Sequence, residues 1–325
     1  MPQKLQNLGH SAGNLAKQAA TPSVGRVALP GHYAIAMFKD VSHVYYLTAV
    51  GGGGRTNDTL HTDATAVKDW EKFRFINGGP SDPFAIQTIN GHFLTAVDGG
   101  GHTANAITTA ASQVSSWELF NLRPQSGSGF SPHFSIQTPK GTFLTAVGHG
   151  GQNTPDAIHS DATAAQDWEM FDFLKIGDVG TNRTYSLEAL SFSGASLGYL
   201  NATDGGRRSD SAALTLQPGP SYMLAFTLVQ QPDGTHAFKT ASGYYVTANA
   251  AGLPGARFRT DTPQVNNWEK FTIIPDENDC TYRIKTSSGA YVTAAVGHPP
   301  DPQYVVDCAP AVADAIRWRL WVVSF

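Results

Sequence analysis

The chain has 325 residues, of which 41% are hydrophobic and 15% are charged, with 33 glycines and 19 prolines. This composition supports about two domains and is typical of turn-rich β proteins, because helical proteins carry more Lys, Glu and Arg. The formal net charge is −4 and the longest run of basic residues is the pair Arg207 and Arg208, which argues against nucleic-acid and polyanion partners.

Membrane insertion is not expected, because no stretch approaches the ~20 consecutive apolar residues that span a bilayer. The N-terminus lacks a charged segment followed by an apolar run, so no signal peptide is evident. The expected location is the cytoplasm, or outside the cell by a non-classical route. Two cysteines are present, Cys280 and Cys308, and both a disulfide and a pair of buried thiols are compatible with this number.

The first 30 residues form an N-terminal extension that lies outside the pattern found in the rest of the chain. Its apolar residues are spaced 3-4-3-4, at Leu5, Leu8, Ala12, Leu15 and Ala19. This spacing places them on one face of a short helix. The sequence therefore predicts a helix packed on the remainder of the protein, and the alternatives are a disordered tail and a partner-docking helix.

From residue 31 onward the sequence contains six copies of one unit. A first marker, Leu-Thr-Ala or its variants, recurs at intervals of 47, 50, 56, 46 and 46 residues. Its central residues are Thr48, Thr95, Thr145, Asn201, Thr247 and Thr293. A second marker follows each copy of the first, as WEKF (70–73), WELF (117–120), WEMF (168–171), MLAF (223–226), WEKF (268–271) and WRLW (318–321). All six tryptophans lie in this second marker.

Each copy reads as four short strands, because alternating apolar residues are interrupted by Gly, Asn and Asp. A four-stranded unit cannot bury its apolar face alone. Three units around a threefold axis make a β-trefoil, and six units around one axis make a propeller. The first three copies resemble one another closely, and the longest interval falls between copies three and four. The predicted fold is therefore all-β, with two tandem trefoils at 31–178 and 179–325.

The combination of a glycine turn, Tyr/Phe-Leu-Thr-Ala and Trp-Glu-x-Phe resembles the fascin-like β-trefoil repeat over residues 31–325. Copy four departs from it at Asn201 and Met223, and copy six departs at Arg319. The resemblance implies a binding module without a catalytic centre. Relatives of this kind bind actin or glycans, or accompany enzymes as accessory modules, so the resemblance leaves the ligand open.

The repeated tryptophans could stack on sugar rings, as aromatic residues of sugar-binding proteins do, but they are interpreted as core residues, because one residue type kept at one structural position usually fills a core. This interpretation covers Trp70, Trp117, Trp168, Trp268 and Trp318. In a regular strand the aromatic residue three positions later would lie on the opposite face. The glutamate that follows Trp is expected to hydrogen-bond a neighbouring turn.

Runs of glycine follow the first marker, as GGGG (51–54), DGGGH (98–102), GHGG (148–151) and DGG (204–206). A strand follows each run, whereas a phosphate-binding glycine loop requires a helix there. Positive φ explains one or two glycines per loop but explains a run of three or four less well. Contact with a sugar ring is one interpretation of these loops, and an ordinary solvated turn is the other.

Polar residues follow the glycines in the first three copies. Neutral sugars are held by short side chains that donate and accept hydrogen bonds beside an approachable backbone. The candidate ligand-binding residues are Arg55, Asn57, Asp58, His61, Asp98, His102, Asn105, His149, Gln152, Asn153, Asp156 and His159.

Two histidines in this set, His61 and His159, are each followed two residues later by an aspartate, Asp63 or Asp161. A hydrogen bond that closes a turn is the preferred interpretation over a metal site, which needs three or four ligands. No metal or cofactor is expected, and no HExxH, CxxC or Walker-type motif indicates an enzyme.

The predicted function is lectin-like binding of glycans at several sites of the first trefoil, without catalysis. The alternative is a fascin-like actin-binding or other protein-interaction module, although the acidic net charge disfavours an acidic filament. Glycans or glycoconjugates are the expected partners, and a homo-oligomer is compatible with the sequence.

Overall fold

The computed structural model describes residues 26–40, 43–77, 82–125, 133–210, 212–218, 224–253, 256–296, 304–310 and 316–325. These residues form β-strands joined by turns, many of which contain one turn of 3-10 helix. The helix predicted in the N-terminal extension lies outside the described residues. Within that extension the described part begins at Arg26 and includes one short strand.

After one short strand, the described chain forms six successive groups of four strands. The strands of the first half are β1 (Val27–Ala28), β2 (His32–Asp40), β3 (His43–Ala49), β4 (Leu60–Ala64), β5 (Arg74–Asn77), β6 (Phe84–Gln87), β7 (Phe93–Ala96), β8 (Ile107–Ala111), β9 (Leu119–Gln125), β10 (His133–Gln137), β11 (Phe143–Ala146), β12 (Ile158–Ala162) and β13 (Asp172–Ile176). Those of the second half are β14 (Arg183–Leu190), β15 (Ser196–Ala202), β16 (Leu214–Gln217), β17 (Ala225–Gln230), β18 (His236–Lys239), β19 (Tyr245–Ala248), β20 (Phe258–Thr262), β21 (Thr272–Asp276), β22 (Thr281–Lys285), β23 (Tyr291–Val296), β24 (Tyr304–Ala309) and β25 (Arg317–Ser324).

Strands β2, β5, β6, β9, β10 and β13 form a closed barrel. Within each group the first and fourth strands pair, as Tyr33 does with Phe73. Each fourth strand also pairs with the first strand of the next group. The last strand, β13, returns to β2, with Leu174 opposite Ala34. The ring therefore closes after three groups, as a trefoil requires and a six-bladed propeller does not.

A second barrel closes in the same way. Strands β14, β17, β18, β21, β22 and β25 pair in order, and β25 returns to β14, with Leu320 opposite Leu187. The prediction of two tandem β-trefoils is confirmed, and the first trefoil (β2–β13) and second trefoil (β14–β25) are named accordingly. The boundary between residues 178 and 179 stays a prediction.

A buried threonine–glutamate pair joins the two sequence markers within four of the six groups. The Thr hydroxyl of the first marker donates to Oε1 of the glutamate at 2.7 Å in every one of these four groups. The pairs are Thr48–Glu71, Thr95–Glu118, Thr145–Glu169 and Thr247–Glu269. The other carboxylate oxygen accepts a main-chain N–H three residues earlier, at 2.7–2.9 Å. The glutamate therefore hydrogen-bonds its own 3-10 turn rather than the neighbouring turn that was expected.

The tryptophan beside each of these glutamates does not lie in the core. Trp70, Trp168 and Trp268 are 49%, 44% and 44% exposed, and Trp117 is half-buried. The core interpretation was wrong for these four because Trp-Glu lies in a 3-10 turn, which directs the glutamate inward. It is confirmed only for Trp318, which is fully buried because β25 runs regularly through this position.

The phenylalanine three positions after each of these tryptophans fills the barrel instead. These residues are almost completely buried: Phe73, Phe120, Phe171 and Phe271. Each begins or adjoins the fourth strand of its group. The spacing repeated in these four groups therefore places an indole on the surface and a phenyl ring in the core within one four-residue segment.

The two trefoils share an apolar junction. Leu174 of the first trefoil lies opposite Trp321 of the second, and both belong to one buried cluster. Phe325 reaches from the second trefoil into the base of the first barrel. Its ring centroid lies 5.0 Å from that of Phe173 and 5.3 Å from that of Phe75, which completes an aromatic core at that end.

Lys175 is a fully buried cation near this junction. Its ammonium group donates to the carbonyl oxygen of Pro30 and lies 4.1 Å from the ring centroid of Tyr33. Burial lowers the pKa of Lys175 to about 7. Because an unfolded lysine has a pKa of about 10.4, the unfolded chain binds more protons above pH 7, and stability rises with pH there.

We expect the free energy of unfolding to rise between pH 7 and 8.5 by about 1 to 2 kcal/mol more in the wild type than in Lys175→Met. The pH range ends at 8.5 because the two thiols affect stability at higher pH. Burial raises the pKa of Cys280 to about 11 and of Cys308 to about 12, so their ionisation in the unfolded chain makes the free energy of unfolding fall as pH rises further. Both cysteines are free in the structure. Urea unfolding at the two pH values measures the difference, and identical pH dependence in the two proteins would show that Lys175 is charged throughout.

Candidate ligand-binding surface of the first trefoil

The glycine runs lie between the second and third strands of their groups, as the sequence predicts, and their backbone is left-handed throughout. Four consecutive residues have positive φ in each run: 51–54, 98–101, 148–151 and 204–207. In the second run these values are 50° at Asp98, 82° at Gly99, 114° at Gly100 and 94° at Gly101. Backbone geometry therefore accounts for the whole run of glycines, and the expectation that it explains only one or two was wrong.

These loops also hold neighbouring groups together. A Cβ atom on Gly100 would lie 2.4 Å from Oγ1 of Thr138 in the next group, so a side chain there has no room. The fourth residue of each loop donates its N–H to the third strand of the next group, at 2.7–2.8 Å. These bonds are Gly54 to Thr109, Gly101 to Ser160 and Gly151 to Thr62, so the third closes the ring. The glycines are architectural, and the side chains around them remain as candidates for ligand contact.

In the first group the structure brings four predicted residues together. His61 lies 2.6 Å from a carboxylate oxygen of Asp58, and Nη2 of Arg55 donates to the other oxygen at 3.3 Å. Nε of Arg55 also donates to the carbonyl oxygen of Asn57 at 3.3 Å. The partner of His61 is thus Asp58 rather than the predicted Asp63, because the intervening turn folds the loop back on the strand.

In the second group the predicted residues divide between two contacts. Nε2 of His102 lies 3.3 Å from a carboxylate oxygen of Asp98 across the loop. Asn105 instead contacts the third group, donating its N–H to Asp156 at 2.9 Å. Asp156, which belongs to the third group, therefore links the loop of that group to the loop of the second group. Asp98 and Asn105 are exposed, whereas His102 is half-buried.

In the third group the predicted residues are more dispersed. The ring of His149 lies edge-on to Trp168, with 6.0 Å between centroids. Gln152 pairs through its main chain with Thr62, and Asn153 is exposed. His159 lies on β12, opposite Thr145.

An exposed or half-exposed indole stands beside each of these three loops. The 3-10 turn that carries Trp packs against the 3-10 turn of the glycine loop in the same group. In the second group, a Cβ atom on Gly99 would lie 3.6 Å from Nε1 of Trp117. We name these arrangements indole sites 1, 2 and 3: Trp70 with loop 51–58 and His61, Trp117 with loop 98–105, and Trp168 with loop 148–153.

The indoles are the functional candidates that the sequence interpretation set aside in favour of the core. A signal was present, because a polar residue followed three positions later by Glu is the pattern of a capping box, which begins a helical turn. Ser115 and Glu118 match this pattern, and in all four Trp-Glu turns the glutamate carboxylate accepts the main-chain N–H three residues earlier. In such a turn the glutamate side chain is buried and the tryptophan side chain faces solvent, as Glu71 and Trp70 show.

Residues from the following group also reach the first two sites. The side-chain amide of Asn90 donates to the carbonyl oxygen of Gly51 at 2.9 Å. Lys140 similarly donates to the carbonyl oxygen of Gly100 at 3.2 Å. Each of these sites is therefore built from two neighbouring groups, and sequence spacing within one group could not indicate these contributors.

The described part of the chain has neither a metal-binding cluster nor a membrane-spanning helix. Among these residues, no three or more His, Cys, Asp or Glu side chains are arranged to hold a metal ion. Over the same ranges, no helix has the length and apolar character needed to cross a membrane.

No protein-family model matches the chain, and no curated protein sequence matches it. Similar solved structures include a mosquitocidal holotoxin, with 10% identity, a TM-score of 0.37 and 89% of this chain covered; the chain spans only 34% of that protein. The designed threefold-symmetric protein ThreeFoil has 20% identity and a TM-score of 0.35, covering 42% of this chain and 96% of its own. The BEL β-trefoil has 19% identity and a TM-score of 0.34, covering 46% and 97%. Likenesses this low indicate no function.

Proposed function

We propose that the protein is a lectin-like module that binds neutral glycans at indole sites 1, 2 and 3. The observation that carries this proposal is the exposed indole beside a polar loop, repeated in three neighbouring groups. An aromatic face provides an apolar surface for the C–H groups of a sugar ring, and flanking polar groups receive and donate the hydroxyl hydrogen bonds. The resemblance to fascin-like repeats, some of which bind glycans, agrees with this proposal.

The polar partners suit hydroxyl groups rather than charged ligands. In indole site 1, Arg55 and His61 already share the carboxylate of Asp58, so the cluster offers both donors and acceptors with little unbalanced charge. In indole site 2, Asp98 and His102 form the same kind of pair. Short side chains held by such bonds lose little freedom when a sugar binds.

Three related sites in one trefoil favour multivalent binding. Each contact would be weak alone, because the sites are shallow and open to solvent. When several sites engage one glycan-bearing surface, the second and third contacts become effectively intramolecular and the overall affinity rises by orders of magnitude. We therefore propose that the biological ligand presents the same sugar in several copies.

We propose no catalytic role. General acid–base catalysis at a sugar needs two carboxyl groups placed around a cleft. The four repeated glutamates are buried and accept bonds from threonine and from the main chain. They are engaged in holding the turn and face away from the indole surface.

The second candidate is a fascin-like protein-interaction module that binds actin. Residues 31–178 contain 14 acidic and 8 basic residues, so the first trefoil repels an acidic filament at long range. The same charge disfavours nucleic acid as a partner. No feature of the indole sites favours a filament over a sugar.

A glycan array and actin-filament co-sedimentation, both with the full chain, separate the two candidates. The full chain is required because Phe325 of the second trefoil packs inside the first barrel. We expect binding to one family of neutral glycans and no protein in the filament pellet. Co-sedimentation at micromolar actin together with an empty array would overturn the glycan proposal in favour of the filament.

A further inference from the structure

The first loop of the second trefoil has the same backbone as the indole sites but a different surface. Its left-handed run, 204–207, follows β15 in the position of the three glycine loops of the first trefoil. The equivalent of Trp in the second marker is Met223, so this group has no indole. A cation and a tyrosine stand at this loop instead.

Arg207 occupies a backbone position that favours glycine. Its φ is 75°, and the equivalent residues of the first trefoil are Gly54, Gly101 and Gly151, with φ of 88°, 94° and 79°. A long side chain in left-handed backbone is strained, and such strain is retained where the side chain has a use. The N–H of Arg207 donates to Thr260 at 2.7 Å, the same inter-group bond that the glycines make, so the fold itself does not require arginine here.

The guanidinium of Arg207 is held in place by an aromatic ring. Its Cζ lies 5.0 Å from the ring centroid of Tyr244, which belongs to the next group, and Arg207 is exposed. Stacking of this kind fixes the plane of a guanidinium while its N–H groups stay free at the edge. A fixed, planar donor set is the arrangement that binds carboxylate or sulfate oxygens in pairs.

The charge of Arg207 is not balanced by its acidic neighbours. Arg208, the next residue, donates to Asp204 at 2.9 Å and also bonds Asp210, so both nearby carboxylates are engaged. Within the described ranges of the chain, no carboxylate lies within ion-pair distance of Arg207. This differs from indole site 1, where Arg55 is paired with Asp58.

We propose that Arg207, stacked on Tyr244, binds the oxyanion of an acidic glycan, either a carboxylate or a sulfate ester. This inference rests on the proposed function in that the ligand is a glycan, and it assigns the second trefoil a ligand class distinct from that of the indole sites. The protein would then recognise glycans that carry neutral sugars and an acidic group.

Substitution by glycine tests the proposal without disturbing the fold. Arg207→Gly restores the residue found at the equivalent positions and relieves the left-handed strain, so the melting temperature should be unchanged or higher. The control Arg123→Gln removes one positive charge from the exposed face of β9 and gives the same net charge.

An array of sulfated, carboxylated and neutral glycans is probed with each protein. We expect Arg207→Gly to weaken binding to the acidic glycans at least tenfold and to leave binding to neutral glycans unchanged. Arg207→Lys should retain only part of the wild-type binding to acidic glycans. Arg123→Gln should bind as the wild type does. Preference between sulfated and carboxylated probes identifies the source of the oxyanion.

Two results overturn this inference and leave the indole sites standing: full binding of acidic glycans by Arg207→Gly, or wild-type binding to neutral glycans alone. Binding of acidic glycans alone, lost in Arg207→Gly, supports the inference and contradicts the neutral-sugar sites. The two proposals therefore fail separately.

Discussion

Replacing Trp70, Trp117 and Trp168 together by alanine should abolish the binding of neutral glycans while the protein remains folded. A buried aromatic contact at a binding surface is typically worth about 2 kcal/mol, or roughly thirtyfold in affinity for each site. Loss at three sites removes avidity as well, so binding on an array should fall below detection. The melting temperature should change by only a few degrees, because Trp70 and Trp168 are almost half exposed.

The matched control is Trp268→Ala. Trp268 lies on the same turn in the second trefoil and is 44% exposed, but its loop carries Ala250 and Ala251 in place of Asp and His. The control should bind glycans as the wild type does. Equal binding by the triple variant and the wild type would show that the indoles are surface residues without a ligand.

Replacing Glu71 by alanine should destabilise the protein by about 3 kcal/mol. Glu71 is only 5% exposed, and its carboxylate accepts the hydroxyl of Thr48 at 2.7 Å and the N–H of Lys68 at 2.8 Å. Its loss leaves these two donors without their acceptor and opens a cavity beneath the turn, and each effect costs about 1 to 3 kcal/mol. Urea unfolding followed by circular dichroism measures the difference.

Asp69→Ala provides the comparison within the same 3-10 turn. Asp69 is exposed and pairs with Lys72 at 3.1 Å, and surface ion pairs of this kind contribute less than about 1 kcal/mol. The free energy of unfolding should therefore change little. Similar losses in the two variants would mean that the turn, rather than the buried carboxylate, carries the stability.

Most of the fold follows from the repeat. The two markers define the strands, and the long interval after the third copy separates the two closed rings. The position of the glycine loops between second and third strands was also predictable from the alternation of apolar residues. These features are local or periodic, and periodicity is what a single sequence reports best.

The orientation of the tryptophans was predictable in principle but was misread. The core interpretation requires a regular strand through Trp-Glu-x-Phe, whereas one 3-10 turn is enough to exchange the inward and outward residues. The capping pattern of Ser115 and Glu118 is the local feature that distinguishes the two structures.

Contacts between groups could not be predicted from the sequence. The bond from Asn105 to Asp156, the approach of Lys140 to Gly100 and the insertion of Phe325 into the first barrel all join residues that are distant in the chain. No periodic signal encodes them, because they depend on how the closed rings place neighbouring loops and on the junction between the trefoils.

The most direct test of glycan binding at the indole sites is a ¹⁹F NMR titration of protein labelled with 5-fluorotryptophan, using the array's best neutral glycan. Single substitutions assign the six resonances. We expect the resonances of Trp70, Trp117 and Trp168 to shift with glycan concentration, while those of the buried Trp318 and Trp321 stay fixed. Saturable binding that shifts none of the three surface indoles would contradict the account.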